Sequence, residues 1–177
     1  MVNDAYLRDV MKGFRMYRSL GEQAMAQVPS DADFGTMLDP DSNSIAVIVQ
    51  HLAGNLRSRY RDFLTTDGEK ADRDRDGEFE APGSVTRADV LRIWEDGWAV
   101  AFAALSALTP ADLDKTVTIR GEAFLVVEAL NRSVTHTAYH VGQIVYLARH
   151  FTSGHWTTLS IPKGKSAEFN KGTFKVR

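Results

Sequence analysis

An all-α fold, a four-helix bundle, is what the sequence predicts. Four segments repeat apolar residues at steps of three and four, the spacing that lines one face of a helix. The chain has 177 residues, 44% of them hydrophobic and 25% charged, enough for one stable core in an ordinary globular composition. No internal repeat and no composition break divides it, so a single domain over residues 1–177 is expected.

The first helix carries Leu7, Val10, Phe14, Tyr17, Leu20, Ala24 and Val28 on one face, and Pro29 closes it. The second runs from about Ser44 to Leu64, with Ile45, Val49, Leu52, Leu56, Tyr60 and Phe63 as its apolar stripe. The third opens with a capping signature, Thr86 at the N-cap and Asp89 three residues on, with Val85 and Val90 as a hydrophobic staple. Leu91, Trp94, Trp98, Ala101, Leu105 and Leu108 continue its buried face, and the aromatics Trp94, Trp98 and Phe102 read as core packing.

The fourth helix, from about Glu122 to His150, is apolar on two sides. Val127, Leu130, Val134, Ala138, Val141, Val145 and Ala148 line one, and Ala129, Ile144 and Leu147 a neighbouring one. A helix apolar over so wide an arc is expected at the centre of the bundle, with its second face shared in a homodimer. The polar stretch TTDGEKADRDRDGEFEAPGS makes one long surface loop between the second and third helices. KTVTIRG alternates Val117 and Ile119 with polar residues, which suits a short strand or hairpin arm before the fourth helix. After that helix, TSGHWTTLSIPKGKSAEFNKGTFKVR has no sustained period and reads as an extended tail.

Composition narrows the functions. A net charge of −2 argues against a nucleic-acid partner. No run approaches the ~18 apolar residues of a membrane span, and MVNDAYLRDVMKGF lacks the apolar core of a signal peptide. A soluble cytoplasmic protein is expected. Without cysteine there is neither a disulfide framework nor a thiolate ligand, so any metal must be held by nitrogen and oxygen.

Three of the five histidines fall where a metal would want them. His136 and His140 share a helical face with Cβ atoms roughly 5–6 Å apart, close enough for both rings to reach one ion. His51 lies on the second helix in a line of small and mostly polar residues, Ser44, Val47, Asn55, Ser58 and Asp62, as a cavity wall would. Three neutral histidines leave a coordination position open, the arrangement of a catalytic site. The same spacing also fits histidines that hydrogen-bond in the core or face solvent. Thr137, Ala138 and Tyr139 separate the pair, so no HExxH protease motif is present.

Weaker signals read as structural. Asp72, Asp74, Asp76 and Gly77 match the first half of a calcium loop, but its twelfth position is Gly83, which cannot ligate. Gly164-Lys165-Ser166 lacks the earlier glycine of a phosphate loop. Asn55, one turn beyond His51, either lines the pocket or orients a water there, or is an ordinary surface or capping residue. On a helical wheel Tyr139 points away from His140. His150 and His155 lie near or beyond the end of the fourth helix, where cations favour the dipole.

A histidine early in the second helix, in QHLAGN, followed by HxxxH within NRSVTHTAYHVGQIVYLARH, resembles the DinB-like family. HLAGNLRSRYRDFLTTDGEK, RDGEFE, TVTIRGE, YHVGQIVYLAR and SIPKGKSAEFN are similar to one subgroup of uncharacterised bacterial DinB-like proteins. The resemblance implies a four-helix bundle, often dimeric, with a divalent metal ion (zinc, nickel or iron) on His51, His136 and His140. It implies a metal-dependent enzyme acting on a small-molecule substrate, of thiol transferase or hydrolase type; a non-catalytic dimer that binds a metal or small ligand is the competing reading. No general base or nucleophile is named by it.

Overall fold

The computed structural model describes residues 2–172. Four long helices make up most of it: α1 (Val2–Met25), α3 (Ile45–Tyr60), α4 (Arg87–Ala107) and α5 (Val126–Thr152). Two single-turn helices are added, α2 (Asp31–Gly35) and α6 (Ser166–Asn170), the second within the tail expected to be extended. The last five residues of the expected tail lie outside the described residues. What precedes them is tied down, because Thr157 and Gln27 exchange hydrogen bonds of 2.7 and 3.1 Å with each other.

The short strand or hairpin arm expected before the fourth long helix is present. Strands β1 (Thr116–Ile119) and β2 (Glu122–Leu125) form an antiparallel hairpin with Thr116 opposite Leu125 and Ile119 opposite Glu122. The fold is mostly helical with one small sheet. The fourth long helix therefore begins at Val126, not near Glu122, because residues 122–125 pair with the alternating segment Val117 and Ile119 anchor in the core. The hairpin is then welded to α5 by Val126 N–H donating to the Lys115 carbonyl at 2.8 Å.

Helix starts follow the capping chemistry. Ser44 accepts the Val47 N–H at the head of α3, and Thr86 and Asp89 form the reciprocal capping box of α4. α3 packs against both α4 and α5, and α1 against α5. In α3 every residue but Gln50 and Arg57 is buried, so α3 occupies the centre. The broad apolar arc of α5 is instead turned toward α1 and α3, and Arg132, Tyr139 and Tyr146 are exposed. Close approach of α3 and α4 rests on Gly97, where a Cβ would stand 2.7 Å from the Ala53 Cα. Among the described residues, no helix is long and apolar enough to cross a membrane.

Candidate metal centre

The buried position of α3 decides what its polar line does. His51, Asn55, Ser58 and Arg59 are all buried, facing the loop after α3 and the first half of α5 rather than solvent. One turn of α5 presents His136 and His140 to the same point. The Nε2 atoms of His51 and His136 are 3.2 Å apart, and those of His140 and His136 are also 3.2 Å apart. All three ligand atoms lie within 4.8 Å of one another, with His51 and His140 buried and His136 half-buried. Among the described residues this is the group of histidines and carboxylates that can hold a metal ion.

The outer nitrogens explain the orientation. His51 Nδ1 is 3.0 Å from Glu78 Oε2, and His140 Nδ1 is 2.8 Å from Gln143 Oε1. Carboxylate and amide oxygens only accept, so each of those rings donates a proton from Nδ1 and, in its neutral form, turns a bare Nε2 lone pair inward. Two lone pairs then face the third imidazole at contact distance, and His136 has at most one Nε2 proton to share between them. A cation at the convergence point satisfies all three. Four-coordinate zinc with Zn–N of ~2.0–2.1 Å separates its nitrogens by about 3.3 Å, close to the two distances found. The donor set fits a borderline transition metal bound by imidazole.

Electrostatics favour the neutral rings that a metal needs. Burial, and then the neighbouring His140 and His51, push the His136 pKa down to about 3. Burial lowers that of His140 as well, against the opposing bond to Gln143. The Nδ1 of His136 is buried without a hydrogen-bond partner.

Glu78 comes from a single 3-10 turn, Gly77–Phe79, in the long loop. Asp74 accepts the Gly77 N–H at 2.9 Å, and Gln50 of α3 donates to the Gly77 carbonyl at 2.9 Å, which pins the turn to the helix. Arg73 grips Glu78 with a two-pronged pair, Nε to Oε1 at 2.8 Å and Nη2 to Oε2 at 2.7 Å, almost wholly buried. Burial alone would raise the Glu78 pKa; the bonds from Arg73 and His51 outweigh it, and the carboxyl is held below its ordinary value. The Phe79 ring closes the other side of His51, with centroids 4.5 Å apart. Gly54 makes room for all this, since a Cβ there would lie 2.0 Å from Glu78 Oε1.

Beside the histidines opens a cavity of about 440 Å³, lined by His51, His136, Asn55 and Tyr139 and by five arginines. A family model described as "Protein of unknown function (DUF1572)" matches residues 1–165. The chain belongs to that family. No curated protein and no solved structure gave a match. The DUF1572 match spans every element that shapes the centre, from α1 through α5, and stops just short of α6.

All three histidines expected at a metal site are brought together. Asn55 lines the cavity, which resolves its two readings. Tyr139 corrects the wheel: its ring stands edge-on to His140 with centroids 5.0 Å apart, and it lines the cavity while 64% exposed. His150 and His155 are exposed, outside the cluster. The half calcium loop is used internally, with Asp72 paired to Arg61, Arg73 to Glu78 and Asp74 to the Gly77 N–H. Sequence reasoning misses Glu78, Arg73 and Gln143. Gln143 alone had a local signal, three residues beyond His140 on the same helical face.

Proposed function

We propose that this DUF1572 protein is a DinB-like four-helix bundle, one domain over residues 1–177, binding one divalent metal ion through His51, His136 and His140. The observation that carries the reading is the convergence of three Nε2 atoms, two of them fixed as acceptors by Glu78 and Gln143. Zinc, nickel and iron all suit three imidazoles, with the remaining coordination left to water or substrate. Such an ion supplies Lewis acidity and lowers the pKa of a water or thiol it binds. Burial favours the neutral form of His136 and His140, Glu78 and Gln143 orient the rings of His51 and His140, and a cavity of small-molecule size lies next to them.

On this basis we read the protein as a cytoplasmic metal-dependent enzyme acting on a small molecule, of thiol transferase or hydrolase type. Tyr139 and Tyr146, exposed on α5, support a homodimer through that helix, and light scattering at micromolar concentration tests it. The deciding experiment is elemental analysis of the purified protein beside a His51→Ala/His136→Ala/His140→Ala variant. Near-stoichiometric metal in the parent and none in the variant is the expected result. Parent protein that neither contains nor takes up metal overturns it. Turnover of thiol with electrophile, or of an ester or amide, lost in His136→Ala, then separates an enzyme from a non-catalytic metal-binding dimer.

A further inference from the structure

Although the whole chain is slightly acidic, the wall of the histidine cavity is strongly basic. Arg59, Arg73, Arg75, Arg120 and Arg132 line it, and no carboxylate does. They arrive from three separate elements, α3, the loop carrying Glu78 and α5, and from the turn of the β hairpin. Nearby acids are fewer than the arginines and already engaged. Glu69 is shared by Arg73 at 3.2 Å, Arg120 at 3.1 Å and Arg59 at 3.7 Å. Glu78 serves Arg73 and His51. Asp67 accepts the backbone N–H groups of Glu69, Arg120 and Gly121, and Asp76 meets Arg75 only in the open, at 3.8 Å.

Two arginines are left short of partners. Arg59 is 9% exposed, its only carboxylate partner among the described residues lies beyond hydrogen-bond distance, and its Nη1 is buried with no hydrogen-bond partner there. A buried guanidinium with an open donor is costly unless an acceptor reaches it. Arg132 has no carboxylate partner among the described residues and rests over the Phe124 ring, 5.8 Å from its centroid. Burial and the repulsion of Arg73, Arg120 and Arg132 together outweigh the pull of Glu69 and lower the Arg59 pKa, so these charges feel one another.

Arg120 adds an independent mark. It and Gly121 form the two-residue hairpin turn, with φ of 56° and 77°. A turn with both central residues left-handed favours Asn, Asp or Gly at its first position, and a long side chain there is strained. Local rules are broken in this way where a side chain has work to do.

We propose that the arginine-walled cavity binds the carboxylate or phosphate group of a small organic substrate, whose reacting group then faces the three histidines. The guanidinium fork matches both oxyanions in two-pronged fashion, and 440 Å³ suits a metabolite rather than a polymer. The anion binding stands on the arginines alone; its role as substrate rests on the metal reading given above.

Calorimetric titration of the full-length protein, stripped of metal by chelation, with inorganic phosphate and with succinate at constant ionic strength tests this. At least one probe is expected to bind saturably, with affinity falling about tenfold, the loss of one strong contact, in Arg132→Gln and Arg120→Gln. Both side chains are exposed enough that their loss spares the fold. Arg15→Gln, an exposed charge on α1 outside the cavity lining, is expected to leave affinity unchanged. Phosphate binding alone, or succinate binding alone, supports the proposal and names the oxyanion. Saturable binding of neither, or binding that falls equally in Arg15→Gln, overturns it. Elemental analysis of the same protein after metal is added back and the excess removed separates the two readings: anion binding without metal uptake sinks the metal centre only, and metal uptake without anion binding sinks this proposal only.

Discussion

Glu78 holds a key place because one carboxylate does three jobs. It fixes the His51 tautomer, neutralises the buried Arg73, and draws the 3-10 turn onto α3. Groups that orient metal-binding imidazoles in this way typically change metal affinity 10–100-fold when altered. Glu78→Gln is therefore expected to lower metal affinity by about that factor while the protein stays folded, read by competition with a chromophoric chelator. Gly54→Ala should imitate it, because the new Cβ would overlap Glu78 Oε1 and push the carboxylate off His51. Unchanged affinity in both variants would mean that the Glu78 contact does not tune the centre. The histidines themselves are legible in the sequence, since a four-residue spacing inside a strong helix fixes their common face. Glu78 is not: it is one acid among many in a charged loop, and no periodicity separates it from its exposed neighbours.

Helix boundaries show which local signals survive packing. Thr86 accepts the Asp89 N–H at 3.2 Å while the Asp89 carboxylate returns to the Thr86 N–H at 3.3 Å, the reciprocal pair its spacing predicts. That box is exposed and distant from the histidines in sequence, so Thr86→Ala is expected to destabilise the fold by about 1 kcal/mol and leave metal content unchanged. Urea denaturation with elemental analysis checks both halves. Loss of metal in this variant would mean that α4 supports the centre more directly than its contacts indicate. Periodicity is less informative about which helix is central. α5 has the wider apolar arc, yet α3 occupies the middle, because its polar residues turn inward onto the cavity and the Glu78 loop. The β hairpin is half-legible. Val117 and Ile119 announce the first strand, whereas Glu122-Ala-Phe-Leu has no alternation of its own and becomes a strand only by pairing.

At the scale of the molecule, the buried histidines of the metal-free protein resist protonation, and acid should therefore destabilise the fold. His136 has a folded pKa of about 3 against 6.5 for a free histidine. Between those values the unfolded chain binds a proton that the folded chain refuses, so stability rises with pH there and falls on acidification. The lowered pKa of His140 acts in the same direction. Glu78 also loses its stabilising contribution on protonation, but only as pH drops through and below its ordinary value of 4.5. From about pH 6.5 down to about pH 5 the histidines therefore dominate among these groups. Urea midpoints of the chelated protein should fall across that window. His136→Gln, which cannot take up the proton, should show a flatter profile there while keeping the loss below pH 4.5 to which Glu78 and the other carboxyls of lowered pKa contribute. A parent profile as flat as the variant's would mean that His136 is free to protonate in the folded chain. The three rings would then be an ordinary hydrogen-bonded cluster, without the enforced neutrality on which imidazole coordination of a metal depends.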